Sequence, residues 1–139
     1  MTRREPRHSF ALRIVPTSGL APAAWRRFLA EWEAHADEHG LQLDGTQLLW
    51  RVFSAERSLT EEDQVDLLDW LVDRPLVCEV LMSQLGERVD AIAQLEAGFV
   101  RMRCSDPCTA GLVLLYRNRR LTAPMVLHAL GGFVRPVES

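Results

Sequence analysis

The chain contains no lysine: all 16 of its basic residues are arginines. A GC-rich coding sequence accounts for that, because a preference for phosphate-binding forks would not require the loss of every surface lysine. No apolar run approaches the roughly 20 residues needed to span a bilayer, which excludes a membrane-spanning helix and predicts no membrane partner. The arginine-bearing start, Met1 to His8, has no apolar core behind it and does not read as a secretory signal, so a cytoplasmic protein is expected. Cysteine is scarce and odd in number, at Cys78, Cys104 and Cys108, which argues against a disulfide framework. There is no G-x-S-x-G nucleophile turn, no phosphate-cradling glycine loop and no dinucleotide fingerprint. No catalytic residue, cofactor or resident metal is therefore expected, and the chain does not read as an enzyme.

What is present is enough to fold. With 139 residues, 47% of them hydrophobic and 25% charged, one domain or one small domain plus an extension is expected. The net charge of −3 hides a split. Residues 1–8 carry three arginines against one glutamate, residues 9–98 seven arginines against sixteen acids, and residues 99–139 six arginines against two acids. The body is acidic and both ends are basic, a pattern that suits an RNA-contacting end or simple solvated charge.

Phe10, Leu12 and Ile14 alternate along a first strand, 10–15. Pro22 opens a helix to about residue 39, with Trp25, Phe28, Leu29, Trp32 and Ala36 on one stripe and Gly40–Leu41 as its left-handed cap. A hairpin follows, 41–43 and 48–53, turned at Asp44–Gly45. Thr60 caps a second helix whose first turn is Glu61-Glu62-Asp63; Val65, Leu68, Leu71 and Val72 face in, and Asp66, Asp69 and Asp73 face out. Pro75 stops it, and an apolar strand runs from Leu76 to Met82. The order strand, helix, strand, strand, helix, strand predicts an α+β, ferredoxin-like (βαββαβ) antiparallel sheet with both helices on one face. Residues 1–9 read as a basic tail, 10–85 as the ferredoxin-like domain and 86–139 as a C-terminal α/β extension. In that extension 87–97 reads as a helix with Val89, Ile92 and Ala93 inward, and 99–104 as a strand. Ser105-Asp106-Pro107 reads as a turn, 112–116 as a buried strand, with part of a helix as the less favoured alternative, and the stretch after Thr122 as a last short helix.

Several of these pieces carry a resemblance. The arginine-bearing tail before Phe10, Leu43-Asp44-Gly45-Thr46, Trp50, Leu59-Thr60-Glu61-Glu62-Asp63, Trp70-Leu71 and Val77-x-x-Val80 fall in an order that resembles the YggL family of small bacterial proteins associated with the large ribosomal subunit. The resemblance covers residues 1–85. It lapses at Ser83 to Glu87, where the family's ending differs, and some 54 residues beyond Leu85 have no counterpart. It implies a non-enzymatic protein bound to the large subunit through rRNA or ribosomal protein.

Candidate contacts follow from the charge map. Arg3, Arg4 and Arg7 in the tail, Arg101 and Arg103 on one strand face, and Arg117, Arg119 and Arg120 in a turn could meet phosphate. If 99–104 paired with 111–116, the last five would share one patch. That patch would contact RNA or dock on the acidic body, and the two readings weigh equally. The exposed Asp66, Asp69 and Asp73 would face a basic partner. The alternative is a protein–protein inhibitor or adaptor with such a partner, with a homodimer as one form of it. His35 and His39 have the four-residue spacing of two metal ligands, but their place in the last turn, where a partial positive charge suits the helix C-terminus, explains them more simply. Cys104 and Cys108 read as packing or free thiols ahead of a reversible disulfide, and Cys78 reads as core. The four tryptophans are expected in the core.

Overall fold

β1 (Phe10–Pro16) runs through the centre of the sheet because alternate residues bury against opposite layers. Phe10, Leu12 and Ile14 are fully buried on one side, and Arg13 is exposed on the other. The computed structural model describes residues 7–45, 48–87 and 90–135. Over these it shows a mixed α+β protein with a five-stranded antiparallel sheet in the order β2-β3-β1-β4-β5. The other strands are β2 (Gln42–Gly45), β3 (Leu49–Phe53), β4 (Val77–Ser83) and β5 (Phe99–Arg103).

The inner face follows from register. Trp50 and Met82 flank Leu12, Val52 lies beside Phe10, and Val80 lies between Ile14 and Met102. On it sit α1 (Pro22–Glu38) and α2 (Glu61–Val72). α1 starts on Pro22 without a side-chain cap and buries Phe28, Trp32 and Ala36. It ends as expected: Gly40 has φ +69° and the Leu41 N–H donates to Ala36 O at 2.9 Å, with Leu41 buried. α2 begins in a reciprocal box. The Asp63 N–H donates to Thr60 Oγ1 (3.3 Å) and the Thr60 N–H to Asp63 Oδ2 (2.8 Å), while Arg57 grips Asp63 through Nη1 and Nη2 (2.6 and 2.8 Å). Trp32 packs edge-on to Trp50 at 6.0 Å and tilted to Trp70 at 5.9 Å, joining sheet, α1 and α2. Trp32 and Trp50 are buried and Trp25 and Trp70 partly so, in line with the core expectation. Each fully buried side chain of this size contributes on the order of 1.5–3 kcal/mol.

Four sequence expectations change. Asp44 and Gly45 belong to β2, paired with Arg51 and Trp50, rather than forming the turn; residues 46 and 47 lie outside the described residues. The helix expected at 87–97 is α3 (Ala91–Glu96), capped by Asp90, whose Oδ1 accepts from the Ile92 N–H at 3.0 Å. Its buried residue is Gln94, and Ile92 is 56% exposed. The Gln94 side chain donates to Ser9 O at 3.3 Å, which ties α3 to β1 and explains why a polar residue faces in.

The fourth change is the largest. Residues 112–116 are helical, within α4 (Pro107–Arg117), and α5 (Ala123–Ala129) follows. Asp106 caps α4 by accepting from the Cys108 N–H at 2.9 Å, and Pro107 occupies the first turn, where its missing N–H costs nothing. β5 therefore pairs with β4 along its length, not with 111–116, and among the described residues meets only Val134 on its far edge. α5 packs on α2 and buries Ala123, Val126 and Leu127. That second cover on α2 accounts for Leu67, which is buried although it lies off the stripe read from sequence.

Candidate functional site: the outer face of the sheet

The face of the sheet opposite α1 and α2 is only partly covered. The same register that points Leu12 inward points Arg13 outward, in one row with Leu49, Leu81 and Arg101 from β3, β4 and β5. Beside that row lie Glu79 and Arg103, and on its other side Arg51, Ala11, Ser83 and Phe99. α3 lies over the Ala11–Ser83 end, where both residues are fully buried and Ser83 Oγ accepts from the Ala11 N–H at 2.8 Å. Between α3 and the exposed rows is a cleft of about 470 Å³. Leu49, Leu81, Phe99 and Arg13 form its floor, and Ile92, Leu95 and Glu96 its wall. A concave apolar site with a few polar groups at its rim is the usual form of a binding site.

Three of the four arginines of this face are held by a neighbour. Glu79 takes Arg101 Nε at 2.9 Å and Arg103 Nε at 3.9 Å. The Arg101 guanidinium lies 5.7 Å from the Phe99 ring centre and that of Arg51 4.5 Å from Phe53. Arg13 takes part in no ion pair among the described residues. The span from β3 to β5 is three strand spacings, ~14 Å. Arg13 and Arg51 were missed by the sequence reading. The alternation that buries Phe10, Leu12 and Ile14, and Trp50 and Val52, was the signal that both point the other way.

The other sequence candidates are dispersed. Arg3 and Arg4 lie outside the described residues, and Arg7 is exposed at the chain's described start. Arg117 is part of α4, away from Arg101 and Arg103, so the five arginines do not form the single patch that strand pairing would have made. Arg117 instead reaches α2, with Nε at 2.5 Å from Asp69 Oδ1 and Nη2 at 2.6 Å from Asp73 Oδ2. Tyr116 Oη donates to Asp66 at 3.0 Å. The acidic trio is thus engaged within the chain. Hydrogen bonds donated to both carboxylates hold Arg117 above the usual guanidinium value, and burial together with Asp66 pushes the Tyr116 phenol up to about 12. Arg119 and Arg120 close α4: the Arg119 N–H donates to Tyr116 O at 3.0 Å, the Arg120 N–H to Leu115 O at 2.8 Å, and Arg119 has φ +59°.

Cys104, just after β5, lies beside Cys78 of β4, its N–H donating to Cys78 O at 3.0 Å, and all three cysteines are free thiols. Cys78, expected in the core, is exposed. His35 and His39 sit in the last turns of α1, with ring centres 4.3 Å apart, and Glu38 joins them. Burial first, then His39 and Arg74, lower the His35 pKa. Among the described residues no helix is long and apolar enough to cross a membrane. No family model, no curated protein and no solved structure matches the chain.

Proposed function

We propose that the protein is a non-enzymatic binding protein that meets RNA phosphate through the outer face of its sheet. The observation that carries this reading is the presentation of Arg13, Arg51, Arg101 and Arg103 on one face, around an apolar floor. Guanidinium groups pair bidentately with phosphate, and the aromatic rings beneath Arg51 and Arg101 hold their planes, which lowers the entropy lost on binding. The sequence resemblance to the YggL family supplies the partner, the large ribosomal subunit. The strand order β2-β3-β1-β4 with α1 and α2 on one side supports a ferredoxin-like core, to which β5 and α3–α5 are additions.

Sedimentation through a density gradient tests it. The protein travels with large subunits at low salt and is released as salt rises, because each phosphate contact liberates counterions. Arg13→Glu combined with Arg101→Glu abolishes co-sedimentation. A protein that remains at the top of the gradient at every salt concentration overturns the reading. The adaptor reading draws support from one feature: Leu114 and Leu115 on α4 and Met125 on α5 are exposed, at 55, 43 and 54%. Light scattering showing a concentration-independent dimer without RNA affinity would favour it.

A further inference from the structure

We propose that His35, Glu38 and His39 form a binding site for a divalent transition-metal ion of the zinc class at the C-terminal end of α1. The three residues occupy positions i, i+3 and i+4, so one helix face carries all three, and their ligand atoms lie within 4.8 Å of one another. A tetrahedral ion bound at about 2.0–2.1 Å needs nitrogens ~3.4 Å apart, a closure small enough to come from the exposed Glu38 and His39 side chains.

Two features go beyond spacing. His39 Nδ1 lies 2.9 Å from His35 O. A carbonyl oxygen only accepts, so Nδ1 carries the hydrogen and Nε2 keeps its lone pair for an ion. This is the outer hydrogen bond that orients metal-bound histidines. The His35 ring is stacked on Trp70 at 4.6 Å with an interplanar angle of 15°, which restricts its rotation. Both rings border a surface cleft of about 440 Å³ that Asp66, Asp69 and Asp73 also line, leaving room for water to complete the coordination. The end of a 17-residue helix offers a cation its negative pole. Arg74 and Arg117 line the same cleft and oppose a positive ion; Arg117 is balanced by Asp69 and Asp73.

Two imidazoles and one carboxylate select ions such as Zn²⁺, Ni²⁺ and Cu²⁺ over Mg²⁺ and Ca²⁺, which prefer oxygen alone. The site is independent of the outer face of the sheet and stands or falls apart from it.

The test is titration of the full chain with Zn²⁺ alone, followed by calorimetry and by the histidine ring signals in NMR. Zn²⁺ is expected to shift His35 and His39 and leave His8 and His128 in place, with Mg²⁺ producing no change. His39→Ala, at an exposed position where folding is unaffected, is expected to weaken binding at least tenfold. Glu38→Gln is expected to weaken it severalfold, and His128→Ala not at all. Absence of binding at millimolar Zn²⁺ overturns the proposal. So does undiminished affinity in His39→Ala, which would place the ion elsewhere.

Discussion

Arg117 Nη2 lies 2.6 Å from the Asp73 carboxylate, 44 residues away in the chain, and joins the end of α4 to the end of α2. The same guanidinium meets Asp69, so one cation balances two acids that stand on one turn of α2. Arg117→Ala removes both contacts and restores the repulsion between them. The groups are partly exposed and screened, so a loss of about 1 kcal/mol is expected. Urea unfolding should show a lower midpoint with an unchanged slope. A changed slope would mean that α4 and α5 separate from α2 before the sheet unfolds.

Asp66 behaves in the opposite sense. Burial raises its pKa first, Asp63, Asp69 and Glu62 raise it further, and the Tyr116 hydroxyl only partly offsets them. An acid whose pKa is higher folded than unfolded weakens the fold at neutral pH. That cost disappears as pH falls through the raised value and the folded state takes up the proton. Asp66→Asn keeps an oxygen for Tyr116 and removes the charge. It should stabilise the protein by about 0.5 kcal/mol at neutral pH, with the gain vanishing near pH 4. A lower urea midpoint for the variant at neutral pH would show that the charged hydrogen bond to Tyr116 outweighs the repulsion.

Asp63 has the reverse balance. Burial raises its pKa, but the hydrogen bonds from Arg57 and Thr60 outweigh that and leave it lowered. Its contribution is present above the unfolded carboxylate value and is lost as pH falls through the lowered one. Asp63→Asn should therefore destabilise at neutral pH, by about 1 kcal/mol for a weakened cap, and differ less from the parent in strong acid. Thermal unfolding at the two pH values measures the difference.

Arg119 has φ +59°, a conformation that costs an L side chain energy and glycine almost none. It occupies the left-handed position that ends α4. Arg119→Gly should raise stability by about 0.5–1 kcal/mol. If the side chain contributes a contact that matters more than this strain, calorimetric melting will show a lower midpoint.

The three thiols should react in two classes. Cys78 and Cys108 are exposed, whereas Cys104 is half-buried and its thiol is pushed up to about 11, by burial first. Thiolate is the reactive form, and a thiol held that high carries little of it at pH 8. A disulfide reagent should titrate two thiols quickly and the third only on unfolding. Rapid reaction of all three would contradict the packing at the β4–β5 end.

The sequence by itself determined the elements whose signals are local. Alternation at Phe10, Leu12 and Ile14, the stripe from Trp25 to Ala36, the Thr60–Asp63 box and the Gly40 stop each act within a turn or a strand's length, and each stands where the pattern put it. The run Leu112 to Tyr116 had no such period; it reads as a strand, and periodicity alone does not separate a buried strand of that length from a helix. The Asp106–Pro107 cap was the local sign that favoured helix. Only the tertiary structure decided the rest. Gln94 is buried because Ser9, 85 residues away, offers it an oxygen. Leu67 is buried because α5 covers a second side of α2. Arg117 faces inward to the chain because two carboxylates of another helix stand at its reach. Arg13, Arg51, Arg101 and Arg103 become one surface only when four strands, distant in sequence, settle into register. Pairings of this kind depend on separation in space, which short-range preferences do not encode.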